Sequence, residues 1–130
     1  MESLLAGVGA AVLAWLFNPR LLERTGQWGV MFAAPLLEEV LKTGLALLLG
    51  ASFWVSHLVF GVIEGIYDLK VSRFGLAAAA CSVAGHLLFG LAATVLGKKV
   101  PGVIAPVAGG TVLHWLWNVF VLTRLGERGD

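Results

Sequence analysis

Along this chain the apolar positions form long runs, and the polar ones gather in short breaks between them. Five apolar stretches stand out, residues 3–17, 28–50, 51–67, 74–97 and 100–122. They are joined by NPRLLERTGQ, GAS, DLKVSR and GKKV. A helix crossing a bilayer core needs about 20 apolar residues, within a range of about 17–25. The pattern therefore predicts five membrane-spanning helices, the first short and the third marginal. The opening run SLLAGVGAAVLAWLF has the length of a signal-peptide core. Glu2, however, stands where a basic segment belongs, and Pro19-Arg20 where a small-residue cleavage site belongs. This run is read as a retained first helix. The expected fold is an all-α polytopic membrane bundle, one transmembrane domain over residues 1–130, with its motif-bearing core at 35–120.

Charge sets a direction for the bundle. With the N-terminus outside, Arg20, Arg24, Lys70, Arg73, Arg124 and Arg128 fall inside and only Lys98 and Lys99 outside. The positive-inside rule then predicts an N-out, C-in protein. Trp15, Trp28 and Trp54 lie near span ends, where interfacial anchors belong. Trp115 and Trp117 are expected to pack on a helix surface.

Composition agrees with the pattern: 58% of residues are hydrophobic and 13% charged, with a mean hydropathy of +0.89. A net charge of +1 without any basic run excludes nucleic acid as a partner. A single cysteine, Cys81, cannot form an internal disulfide and reads as a small buried apolar residue.

Against that background APLLEEVLKTGLALLLG is an anomaly, because Glu38, Glu39 and Lys42 interrupt it. Each such group costs roughly 2.5–3.5 kcal/mol at the centre of a membrane helix, so the three together cost about 8–10 kcal/mol before pairing. Counting about 1.5 Å per residue puts Glu38 and Glu39 about 15 Å from the inner surface, His86 about 18 Å and His114 about 14 Å. Asn118 lies about 7 Å in by the same count, and Glu64 sits nearer the inner surface. Four helices thus bring acid, imidazole or amide groups to one zone of the membrane. His114 and Asn118 are four apart and share a helix face, as do Phe60 and Glu64. Glu38 and Lys42 share a face in the favourable order, so pairing between them is one expectation and leaves Glu39 free. His57 falls nearer the outer end and is expected to be structural. Asp68, Lys70 and Arg73 read as a solvated loop to which Glu64 could pair. Pro35 and Pro106 are expected to bend their helices. Gly61 and Gly65, like Ala105 and Gly109, have the small-xxx-small spacing of close helix contacts.

Glu-Glu-x-x-Lys (Glu38, Glu39, Lys42), Phe-x-x-x-Glu (Phe60, Glu64), a lone His86 and His-x-x-x-Asn (His114, Asn118) occur in this order on successive spans. The series resembles the PrsW group of the CAAX-processing and bacteriocin-processing family of intramembrane endopeptidases. The resemblance implies a glutamate-dependent peptidase with no cofactor, acting on a transmembrane or lipid-anchored protein or peptide. It implies a multi-pass protein of a prokaryotic cell membrane, in which Glu38 or Glu39 activates water. It assigns the oxyanion to His114 and Asn118, and an assisting role to Glu64 or His86. Lys42 and Phe60 come with the motifs as supporting residues. The sequence departs from the family in having Lys rather than Arg after the paired acids and Glu-Gly at the second motif. It is also short, so a homo-oligomer that closes the cavity is a further expectation.

Two other classes fit the same residues. Glu39, Glu64, His86 and His114 offer ordinary ligands for Zn2+ or another divalent ion, which would make the protein a metal-dependent peptidase or a metal carrier. A polar-cored bundle could also bind a partner helix or relay protons without cutting anything.

Overall fold

The computed structural model of the chain describes residues 1–126, and no strand occurs among them. The elements are α1 (Glu2–Thr25), a π-helical turn (Gly29–Ala33), α2 (Ala34–Leu48), α3 (Phe53–Val71), α4 (Leu76–Lys99) and α5 (Ile104–Gly126). Arg128 and the side chain of Arg124, both counted above for the inner face, lie outside the described residues.

All five apolar stretches form helices, but several bounds move. α1 runs eight residues past its expected end, straight through Pro19. Pro19 removes one N–H, the partner of Trp15 O, but Leu21 and Leu22 continue the apolar face beyond it and the helix runs on, with the Arg20 guanidinium adding a hydrogen bond to Leu16 O at 3.1 Å. α3 likewise extends to Val71. Asp68 and Lys70 are therefore helical rather than in a loop, and Asp68 accepts a 2.5 Å hydrogen bond from the Ser82 hydroxyl. Pro106 does not bend α5. It is the third residue of that helix, where an N–H would lack an intrahelical partner anyway.

The second stretch carries the main local departure. Instead of a simple bend at Pro35, one turn widens to π geometry just before it, with the Ala34 N–H reaching back to Gly29 O. Pro35 has no N–H to offer the preceding turn, and a π turn is a known way of rearranging the ladder at such a point. Side chains of α5 meet the carbonyls of this turn. Trp115 Nε1 donates to Phe32 O at 2.9 Å and Asn118 Nδ2 to Val30 O at 3.3 Å. Trp115 is thus a hydrogen-bonding tie between elements rather than plain helix surface.

The distribution of side chains is inverted relative to a water-soluble bundle. Glu39, Lys42, Thr43, Ser56 and His57 are fully buried, while Leu4, Leu5, Trp15, Leu48, Ile104 and Leu116 are exposed. Among the described residues three helices, α1, α4 and α5, are long and apolar enough to cross a membrane. α2 is short once the π turn is set apart, and α3 carries Glu64, Asp68 and Lys70.

Small residues set how closely the helices approach. A Cβ on Gly61 would sit 2.7 Å from His86 Cβ, and one on Gly65 would sit 3.0 Å from Ala79 O. The Gly61/Gly65 pair is therefore part of the contact of α3 with α4. α1 lies on α3 in the same way, since a Cβ on Gly7 would be 2.6 Å from Ser56 O.

Candidate active site

The polar residues of α2, α3, α4 and α5 meet in the interior, joined by one residue of α1. At the centre is Glu39, fully buried on α2. Its Oε1 lies 2.6 Å from Lys42 Nζ and 3.1 Å from His114 Nδ1, and its Oε2 lies 2.9 Å from His57 Nε2. Room for this carboxylate comes from Gly110 on α5, where any Cβ would collide with Glu39 Oε2. The ammonium therefore pairs with Glu39, one turn away, and not with Glu38 as the favourable spacing suggested. Rotation of α2 against its neighbours makes the choice: it turns Glu39 and Lys42 into the bundle together.

His57 is the second correction. Far from being a remote structural residue, it is completely buried against Glu39. Its Nδ1 lies 2.8 Å from Phe53 O, which can only accept, so that nitrogen carries a proton. Gly90 permits the approach, since a Cβ there would stand 2.7 Å from His57 Cβ.

Lys42 also donates to His86 Nδ1 at 2.8 Å. An ammonium only donates, so the proton of the neutral ring lies on Nε2 and points to Glu64 Oε2, 2.5 Å away. Glu64 thus meets His86 across the α3/α4 contact. Phe60 places its ring centroid 4.5 Å from Lys42 Nζ, a cation–π contact that helps hold the buried charge. Phe89, one turn after His86, stacks on His114 with centroids 4.6 Å apart and fixes that ring.

Glu38 is placed differently from Glu39. Its Oε1 accepts a 2.9 Å hydrogen bond from Asn18 Nδ2 on α1, while Oε2 is buried with no hydrogen-bond partner in the protein. That oxygen stands 4.0 Å from His114 Nε2. In its neutral form with Nδ1–H given to Glu39, His114 presents its Nε2 lone pair on this side. A cavity of about 560 Å3 opens here, walled by Glu38, Glu64, His86, His114, Asn118 and Asn18, with Asp68 and Arg73 also lining it. Glu39 and Lys42 are not on its wall. Asn118 lines the cavity, but its amide is engaged by Val30 O. A second cavity, about 690 Å3 and mainly apolar, lies along α1 and α3 and shares Asn18, Leu22, Glu38 and Glu64 with the first.

Of the residues singled out in the sequence, Glu38, Glu39, Lys42, Phe60, Glu64, His86 and His114 form one contiguous cluster, with Asn118 on the same cavity. Asn18 and Phe89 were missed. Asn18 fell in the connection NPRLLERTGQ, beyond the expected end of the first span, which hid a helical residue, whereas Phe89 had a usable signal in its three-residue spacing from His86. Among the described residues, close-set metal-type ligands are Glu38, His86 and His114, with donor atoms within 4.8 Å of one another. Glu39 and Glu64, expected in such a set, fall outside it. Glu39 is spent on three nitrogen partners, and Glu64 on His86. Both His86 nitrogens are also engaged, by Lys42 and Glu64. A divalent ion could use His86 only by displacing Glu64 while an ammonium stays on the other nitrogen of the same ring.

No family model, characterised protein or solved structure matches this chain.

Proposed function

We propose that the protein is an intramembrane endopeptidase of the PrsW-like kind, a multi-pass protein of a prokaryotic cell membrane. It would hydrolyse a peptide bond of a transmembrane or lipid-anchored substrate with water activated by Glu38. The observation that carries this is Glu38 Oε2: a buried carboxylate oxygen without a protein partner, 4.0 Å from His114 Nε2, on the wall of a cavity. Two acceptors at that separation suit a water molecule, which has two protons to give. Glu38 takes one proton as the water attacks the amide carbonyl, and returns it to the leaving amine. His114, aimed by Glu39 and Phe89, orients the water from the other side. Asn118 supplies the amide donor for the developing oxyanion after releasing Val30 O. Glu39 is an organiser rather than the base, because three nitrogen partners occupy its oxygens.

Orientation belongs to the same proposal. With N-out and C-in, the cavity faces the inner side, and the bilayer covers the exposed leucines and tryptophans.

The test is cleavage of a library of transmembrane peptides by purified protein in lipid, read by mass spectrometry. Cuts that resist a chelator and are abolished by Glu38→Gln are expected, with Glu39→Gln lowering the rate by roughly a hundredfold or less. Loss of cutting in chelator, restored by Zn2+, would replace this mechanism with a metal-dependent one at Glu38, His86 and His114. Cutting that survives Glu38→Gln would remove Glu38 from the role of base.

A further inference from the structure

The base assigned above needs one oxygen free and fixed in direction, and among the described residues one side chain, that of Asn18, hydrogen-bonds its other oxygen. We propose that Asn18, on α1 and outside every motif of the series, is the positioning residue of Glu38; this rests on the peptidase proposal. Asn18 Nδ2 donates to Glu38 Oε1 at 2.9 Å, tying α1 to α2 across twenty residues of chain. The bond stops the carboxylate from turning about its terminal torsion, which is otherwise broad. Oε2 is then the oxygen presented to the cavity and to His114.

The amide is itself arranged for this task. Asn18 Oδ1 is buried without a partner, like Glu38 Oε2. The assignment of the amide follows from its neighbour, since reversing it would set Oδ1 against Glu38 Oε1, one acceptor against another. Asn18 therefore holds the base with its nitrogen and adds a second open acceptor near the cavity wall. Its place is also the threshold between the two cavities, both of which it lines together with Glu38. α1 is thus part of the catalytic machinery through Asn18, and not only a packing helix laid on α3 by Gly7.

Asn18→Leu keeps the size of the side chain and removes the donor. On a peptide that wild type cuts, kcat is expected to fall roughly tenfold to a hundredfold with KM within about twofold, as when an interaction with a charged acceptor is lost in the chemical step. A rise in KM with kcat unchanged would make Asn18 a substrate contact and overturn the assignment. A readout independent of cutting is a double-mutant cycle on thermal unfolding in detergent, using Asn18→Leu and Glu38→Leu. If the pair is coupled, the double variant loses clearly less than the sum of the singles, whereas additive losses would overturn the proposal whether or not any peptide is cut. Asn18→Ala is carried through both measurements, so that a misfolded leucine variant does not decide the result. If the cycle shows coupling but wild type cuts nothing in the library, the bond stands as a tie between α1 and α2 and the positioning role is overturned together with the peptidase.

Discussion

At the scale of single residues, the buried Lys42 ammonium decides how the two adjacent acids differ. It gives Glu39 a 2.6 Å ion pair and His86 a 2.8 Å hydrogen bond, with the Phe60 ring beside it. Removing one partner of a buried pair leaves an uncompensated charge, so Lys42→Met is expected to destabilise the protein by about 3–5 kcal/mol. Replacing both partners, Glu39→Gln with Lys42→Met, should cost less than Lys42→Met alone. Unfolding in detergent measures both, and an equal or larger loss in the double variant would show that Lys42 acts through something other than Glu39. The sequence showed that these three ionisable residues had to be compensated, but not how they were paired. On α2 the spacings 38/42 and 39/42 are both close on a helix. Only the rotation of α2 toward α3 and α5 selects between them.

At the scale of elements, the cluster depends on helices that approach one another through glycine. A Cβ on Gly61 would sit 2.7 Å from His86 Cβ, and the Glu64–His86 bond spans that same contact. Gly61→Val is expected to lower stability by about 1–3 kcal/mol through overpacking and to reduce any cleavage, because α3 and α4 must part. Gly44→Ala is the matched control on α2: nothing stands within 4 Å of its added Cβ, so stability should be unchanged or slightly higher. A Gly61→Val protein as stable as wild type would mean that the helices can shift freely there. The Gly61/Gly65 spacing was legible as a contact in the sequence, yet its partner helix was not. The π turn was also hidden. Pro35 announced a disturbance, but whether it becomes a kink or a widened turn depends on Trp115 and Asn118 being there to take the carbonyls of Phe32 and Val30.

At the scale of the whole molecule, the five helices of the described residues turn apolar side chains outward and enclose a charged interior. The proposed N-out, C-in arrangement is open to direct measurement. In a Cys81→Ser background, Glu2→Cys and Lys99→Cys should react with a membrane-impermeant maleimide on intact cells. Ser72→Cys, between α3 and α4, should react only after permeabilisation. The reverse pattern would invert the topology and place the cavity mouth on the outer side.

What the sequence determined by itself is what short-range physics controls. Long apolar runs bury their backbone polar groups only as helices in lipid, and costly intramembrane charges must have partners, so both the bundle and most of its interior polar residues, Asn18 and His57 apart, could be read from it. Helix ends were less legible, because Pro19 and the charges after Tyr67 look like breaks while the flanking residues still sustain helix. Only the tertiary structure decided which groups meet. It brought His57 to Glu39 through the space left by Gly90, drew Asn18 from α1 onto Glu38, and left Glu38 Oε2 open while closing Glu39 in. Those choices rest on the rotation and depth of each helix against the others. Both are set by side-chain packing between segments far apart in the chain, which periodicity along a single helix does not encode.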